Sequence, residues 1–271
     1  MCELFAYCGE HPAALQYSMR DFAAHSDDKR NAEGWGVAHY VDGDVRLVKE
    51  PGVARDSACL AFIEQHPIRS ALVLSHIRHA TQGATAVRNC QPFVRELGGA
   101  MHVFAHNGNL DRDALGRLAS PDSFRPVGET DSELAFCVLL ERLRPLWREA
   151  AAAPALAARR RVVAEFALQL RALGPANFIY ADGDALFAHG HRRTQAGGDI
   201  RPPGLHVLCR SCDVTPSSFD TQGLRIVPSR AAGAQALIAS VPLSADAAWW
   251  PLAEGELLVL RAGHVAPSLP L

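Results

Sequence analysis

The chain begins Met1-Cys2-Glu3-Leu4-Phe5, with a cysteine directly behind the initiator methionine. Removal of Met1, which a small second side chain permits, would leave a thiol and a free α-amine on one residue. An α-amine of pKa about 8 takes the thiol proton directly or through a water, so nucleophile and base arrive together. Taken alone, Cys2 reads more readily as a small apolar residue opening a strand, because cysteine is among the most buried residue types. Three further polar clusters give it company. Arg78-His79-Ala80-Thr81-Gln82-Gly83 offers an arginine that can hold a carboxylate through two parallel hydrogen bonds, with the Thr81 hydroxyl nearby. His106-Asn107-Gly108-Asn109 pairs a side-chain amide with a glycine N–H, a suitable set of oxyanion donors. Gly128-Glu129-Thr130-Asp131-Ser132-Glu133 leaves Asp131 free to take an ammonium once Thr130 and Glu133 are assigned to helix capping. Each cluster has a plain structural account: a solvated strand end, an Asn-Gly turn and a helix cap. Together they match an α-amino acid whose side-chain amide is attacked, glutamine or another γ-glutamyl amide.

Those clusters fall at the ends of the elements that the pattern predicts. Glu3 to Tyr7 reads as a strand and Leu15 to Ala24 as a helix. Gly34 to Val41 and Val45 to Lys49 flank Asp42-Gly43, a hairpin signal. Ser57 to Gln65 is a short helix, and Ala71 to Arg78 is a continuous apolar run suited to a strand covered on both faces. Met101 to Ala105 is a strand that leads into His106-Asn107-Gly108. Thr130 to Leu143 carries a capping-box signature and a buried stripe, and Pro154 to Leu173 is a second helix stopped by Gly174-Pro175. A hairpin follows over 177–188, then strands at Leu205–Arg210, Leu224–Val227, Ala236–Val241 and Leu257–Arg261. Strands in both halves with central helices argue against an alternating βαβ chain and for helices over antiparallel sheets, an α+β fold.

Composition narrows the class. The chain has 271 residues, 48% hydrophobic and 21% charged, with a net charge of -2, so nothing electrostatic points to nucleic acid or an anionic membrane. No apolar run of spanning length and no secretory signal is evident, and seven irregularly spaced cysteines do not read as a disulfide framework. A cytoplasmic location, where a thiol stays reduced, is the expectation. Cys209-Arg210-Ser211-Cys212 is a lone C-x-x-C followed by a loop, read as two incidental cysteines; a structural zinc site wants two such pairs. No metal and no cofactor is expected.

The ordered set Met-Cys-Glu-Leu-Phe, Asn31-Ala32-Glu33-Gly34-Trp35-Gly36, Arg78-His79-Ala80-Thr81, His106-Asn107-Gly108 and Thr130-Asp131-Ser132-Glu133 resembles the class II glutamine amidotransferases of the N-terminal-nucleophile hydrolase superfamily, in their stand-alone YafJ-type form. Ala239-Ser240-Val241-Pro242-Leu243, Trp249-Trp250 and Gly255-Glu256-Leu257 are similar to the C-terminal part of that subfamily, so the likeness spans nearly the whole chain. It implies a four-layer αββα sandwich in a single domain over residues 1–271. It further implies Cys2 as nucleophile, Asn107 and Gly108 as oxyanion hole, Arg78 on the substrate α-carboxylate beside Thr81, and Asp131 on the α-amine. Relatives carry a His-Pro lining the glutamine pocket where this chain has Gln91-Pro92, and some have Trp where His79 stands, so both residues are expected at an altered pocket wall. The implied reaction is hydrolysis of the glutamine amide through a thioester. Its ammonia is expected to serve an acceptor enzyme on another chain, if any, since no second catalytic motif follows. Two alternatives stay open: a γ-glutamyl amidohydrolase for a larger metabolite, as in ergothioneine biosynthesis, and a non-catalytic glutamine-binding module.

Overall fold

The computed structural model describes residues 2–17, 33–67, 69–79, 82–118, 122–148, 150–195, 197–211, 219–221, 224–228, 233–245 and 248–267. Met1, Thr81 and Cys212 lie outside these residues, as does most of the helix expected after Leu15. In chain order the elements are β1 (Glu3–Tyr17), β2 (Trp35–Val41), β3 (Asp44–Glu50), α1 (Ala58–Gln65), β4 (Arg69–Ile77), β5 (Phe93–Leu97), β6 (Ala100–Gly108), α2 (Arg112–Gly116), α3 (Asp131–Trp147) and α4 (Leu156–Arg171). The second half adds β7 (Ala176–Ala181), β8 (Leu186–His189), β9 (Arg193–Thr194), β10 (Ile200–Arg201), β11 (His206–Ser211), β12 (Phe219–Thr221), β13 (Leu224–Pro228), β14 (Ala234–Ala239), β15 (Trp250–Pro251), β16 (Leu257–Arg261) and β17 (His264–Val265).

Two antiparallel sheets make the sandwich. One runs β15-β11-β14-β1-β4-β2-β3 with β13 attached to β1 and β12 to β13, and the other runs β17-β16-β8-β7-β6-β5. Alternation along each strand divides the apolar residues into layers. Leu4, Ala6, Leu72, Leu74, Val103, Ala105, Ile179, Ala181, Ala236 and Ile238 fill the space between the sheets. The opposite faces of β6, β7 and β8 bury Phe104, Phe178, Tyr180 and Phe187 against α3 and α4. Phe5, Tyr7, Trp35, Val37 and Val73 face the other side, where Leu60 of α1 joins them. The αββα arrangement is therefore present, with α1 the outer cover of the first sheet among the described residues.

Several local expectations follow their chemistry. The β2–β3 hairpin turns at Asp42 and Gly43, with φ of 53° and 81°, as an Asp-Gly turn with two left-handed residues requires. Ser57 caps α1 by accepting from Leu60 N at 3.0 Å. Thr130 caps α3 by accepting from Glu133 N at 3.2 Å, but the other half of the capping box does not form. The buried Glu133 carboxylate instead takes Gly128 N at 2.6 Å and the half-buried Arg95 at 2.5 Å, a cation offering a stronger bond than the cap N–H.

Two expectations need correction. Leu15 to Tyr17 is strand, because β1 continues past an irregularity between Cys8 and Ala13 and Leu15 pairs with Ile226. Ladder pairing thereby overrides the short helical pattern. His106-Asn107-Gly108 is the end of β6 rather than a turn after it, since Asn107 and Gly108 still pair with Asn177 and Ala176 of β7. β5 had no sequence expectation, although it pairs with β6 over its whole length.

Phe178 joins the second sheet to its helices, with ring centroids 5.5 Å from Phe104, 5.7 Å from Phe166 and 5.2 Å from His189. Phe178→Ala is expected to remove about 3–5 kcal/mol from the urea-unfolding free energy. A second expectation concerns acid. Burial pushes the pKa down to about 4 for His39 and His102 and about 3 for His76 and His189. In the unfolded chain these imidazoles take protons near pH 6.5, so their contribution is complete above that pH and is lost on acidification toward 4. Each such histidine accounts for about 2 kcal/mol of the loss between pH 6.5 and 5. Urea midpoints measured from pH 8 to 4.5 should stay level above about 6.5 and fall steadily below it.

Candidate active site

The inner faces of the two sheets change character at one end of the sandwich. Counting on in steps of two from Leu4, Leu74, Ala105, Ile179 and Ile238 gives Cys2, His76 and Arg78, Asn107, Asn177 and Ser240. β4 and β14 both run antiparallel to β1, and β7 antiparallel to β6, which gathers these polar residues at a common edge. Period-two alternation thus supplies an apolar interior and a polar rim on the same strands.

Cys2 directly precedes β1 and keeps part of its surface exposed. Its sulfur lies 3.1 Å from both the carbonyl oxygen and the amide nitrogen of His79, donating to one and accepting from the other. Burial of the thiol pushes its pKa up to about 11, with the His79 backbone opposing the rise. At neutral pH the group is therefore a thiol that needs a base at the moment of attack. The Cys2 carbonyl accepts from Asn107 Nδ2 at 2.6 Å across the two sheets. One amide hydrogen of Asn107 is thereby anchored beside the thiol. Gly108 follows at the strand tip, where a Cβ would stand 1.9 Å from the Pro175 carbonyl, so only glycine fits.

Arg78 is buried just beyond β4, its guanidinium donating to the carbonyls of Gln82 at 2.8 Å, Gly83 at 3.0 Å and Glu33 at 3.3 Å. Those acceptors are neutral, and among the described residues no carboxylate lies within ion-pair distance of it. A buried cation so placed is a ready partner for a ligand carboxylate. Gln82 ties this loop to the end of β6, donating to Asn109 Oδ1 at 2.8 Å and Leu110 O at 3.2 Å. Leu110 N in turn donates to Asp131 Oδ2 at 2.8 Å. Asp131 is buried in the first turn of α3, where the helix dipole favours its charge, and its carboxylate retains acceptor capacity.

The remaining expected residues take different places. His79 keeps its ring partly exposed, with Nδ1 4.0 Å from Glu33. Gln91 is buried and does not present its amide to open space. It exchanges hydrogen bonds with the His106 main chain, Oε1 accepting from N at 2.7 Å and Nε2 donating to O at 3.1 Å, with His76 Nε2 at 3.4 Å. It holds the end of β6 in position. Gly36 lets it approach, since a Cβ there would meet the Gln91 carbonyl at 2.3 Å. Thr81 lies outside the described residues. Asn89, to which the sequence drew no attention, bridges the loop that carries Gln82 and Gly83 to the loop before α3. It donates to Ala84 O at 2.9 Å and Glu129 Oε2 at 2.6 Å and accepts from Glu129 N at 2.9 Å. A lone loop asparagine carries no signal that distinguishes it from an ordinary turn residue. Cys209 lies in β11 as a free cysteine, and no group of three or more metal-ligating side chains occurs among the described residues. Nor is any described helix long and apolar enough to cross a membrane.

Comparison with known proteins agrees with this geometry. The family model for class-II glutamine amidotransferases matches residues 1–270. YafJ of Escherichia coli K12 is 30% identical over 97% of this chain and 99% of its own length. The crystal structure of a predicted glutamine amidotransferase from Pseudomonas aeruginosa superposes with a TM-score of 0.70 at 27% identity, covering 98% of this chain and 100% of that one. The glutamine phosphoribosylpyrophosphate amidotransferase of Bacillus subtilis shares the fold, with a TM-score of 0.58 at 15% identity over 98% of this chain and 48% of its own. A polar rim that brings Cys2, Asn107, Arg78 and Asp131 into one connected set, on a fold shared with such enzymes, agrees with the family match, and the chain belongs to the class-II glutamine amidotransferases.

Proposed function

We propose that the protein, acting as one domain, hydrolyses the side-chain amide of glutamine through a thioester on Cys2, after Met1 has been removed. The observation that carries this reading is the contact of Asn107 Nδ2 with the Cys2 carbonyl at 2.6 Å, which sets an oxyanion donor beside the thiol. Arg78 takes the substrate α-carboxylate and Asp131 its α-ammonium, fixing the amide end toward Cys2. A thiol held near pKa 11 is not ionised at rest, so the α-amine, of pKa about 8, accepts its proton as sulfur attacks. The S–C bond forms, and the oxyanion is met by the Asn107 side chain and the Gly108 N–H. The C–N bond then breaks as the amine returns the proton to the leaving nitrogen, giving ammonia. Water adds to the thioester, the C–S bond breaks, and glutamate and the thiol are released. Ammonia leaves to solvent or to an acceptor on another protein.

Purified protein of intact mass lacking Met1 is expected to release ammonia from L-glutamine, and Cys2→Ala to abolish release while leaving circular dichroism unchanged. Steady release by Cys2→Ala at the unsubstituted rate would exclude the thioester route. Asn107→Ala should lower kcat by about 10²–10³. Asp131→Asn should act chiefly on KM, raising it roughly tenfold, because the ammonium contact is made equally in ground and transition states.

A further inference from the structure

Behind Cys2 and Asn107 runs a second layer of buried polar groups that the reaction itself does not use. Ser240, immediately after β14, is fully buried and bound to β1 through both its main chain and its side chain. Its N donates to Leu4 O at 3.0 Å and its Oγ accepts from Leu4 N at 2.9 Å. The same Oγ lies 3.4 Å from Asn107 Nδ2. Its carbonyl accepts from Arg193 Nη1, and Arg193 Nη2 lies 3.3 Å from Glu3 Oε1, both side chains being almost fully buried. Arg193 is fixed in turn by the residues before it. Asn177 donates to Arg192 O at 2.7 Å and accepts from His191 N at 2.7 Å, while its second amide hydrogen goes to Asn107 O at 2.9 Å. The contacts close a ring: Cys2, Glu3, Arg193, the 191–192 main chain, Asn177, Asn107 and back to the Cys2 carbonyl.

We propose that Ser240, Arg193 and Asn177 are positioning residues that lock the Asn107 amide against the Cys2 main chain, through this ring of buried hydrogen bonds. The inference rests on Cys2 and Asn107 acting as nucleophile and oxyanion donor. Its physical ground is the cost of the arrangement. A buried ion pair such as Glu3–Arg193 is weak evidence for stability, because apolar replacement is often neutral or stabilising. Orientation is what it supplies here. Asn107 is held from both sides, one side-chain hydrogen by the Cys2 carbonyl and its main-chain carbonyl by Asn177, and the second side-chain hydrogen, whose 3.4 Å contact with Ser240 Oγ is long, is the one left to meet the oxyanion. The hydrogen bonds named for the ring end on neither Arg78 nor Asp131, so they bear on the donor's orientation rather than on the amino-acid end.

The test measures glutamine kinetics and, separately, the rate of Cys2 alkylation by iodoacetamide, read by peptide mass. The proteins are the unsubstituted chain, Ser240→Ala, the neutral double variant Glu3→Gln/Arg193→Met, and Arg193→Lys. In the first two variants kcat should fall by about tenfold or more with KM within about twofold, and Arg193→Lys should recover part of the loss by keeping the charge against Glu3. Alkylation, which needs no substrate, should change by about threefold or more in the same two variants. If Ser240→Ala does not fold, the double variant carries the same comparison. Unchanged kcat in an active enzyme, or a kcat loss that tracks a loss of thermal midpoint with KM rising in parallel, overturns the positioning role alone. An unsubstituted chain that hydrolyses no glutamine, with alkylation still shifted in the variants, overturns the glutaminase reading and leaves the ring in place. Inactivity with unshifted alkylation overturns both.

Discussion

The site depends on one constraint: the two sheets are packed face to face, and their inner faces run out together at the edge where β1 begins. Inside the sandwich the inward positions are Leu, Ala, Val and Ile. One step further along the same strands they are Cys2, Asn107, Asn177 and Ser240. A one-residue slip in β1 or β6 would turn Cys2 or Asn107 to the opposite face. Register is therefore as much a part of the site as any side chain, and the core that enforces it lies directly behind the polar rim.

Electrostatics give each member of the rim a distinct task. The Cys2 thiol is held protonated by burial. Two buried histidines on the adjoining strands β4 and β6 are weak bases, because burial pulls His76 down to about 3 and lowers His106 as well. His106 is occupied with Ser132 at 2.9 Å through Nδ1. In the proposed reaction the α-amine of Cys2 serves as the base instead, without bringing another titratable group into a low-dielectric site. Arg78 and Asp131 place a positive and a negative charge in separate backbone cradles, each solvated by main-chain groups rather than by the other. That separation matches the two ends of a zwitterionic amino acid.

Some elements were legible because the local signal and the tertiary demand agree. The Asp42-Gly43 hairpin, the capped α1 and α3, and the Asn177–Ala188 hairpin have turn chemistry that admits few alternatives. Leu15 was misread because three residues of apolar spacing cannot outweigh pairing with β13, which lies more than two hundred residues away in sequence. Asn107-Gly108 resembled a turn because that dipeptide usually is one, yet β7 keeps it in the ladder. The likeness to the family sets Gln91 at the pocket wall, and in the structure its amide exchanges hydrogen bonds with the His106 main chain, a pairing no stretch of sequence announces.

By itself the sequence determined the inventory and its order: a second-position cysteine, an arginine ending an apolar strand, an Asn-Gly pair and a carboxylate at a helix start. Residue type and period-two alternation suffice for that, because they are local properties of the chain. Only the tertiary structure decided which of these meet, that Asn107 binds the Cys2 carbonyl, and that Asn89, Asn177, Arg193 and Ser240 stand behind them. Those contacts join residues 40 to 105 positions apart, and such pairings are set by the register of two sheets packed together rather than by any stretch of sequence.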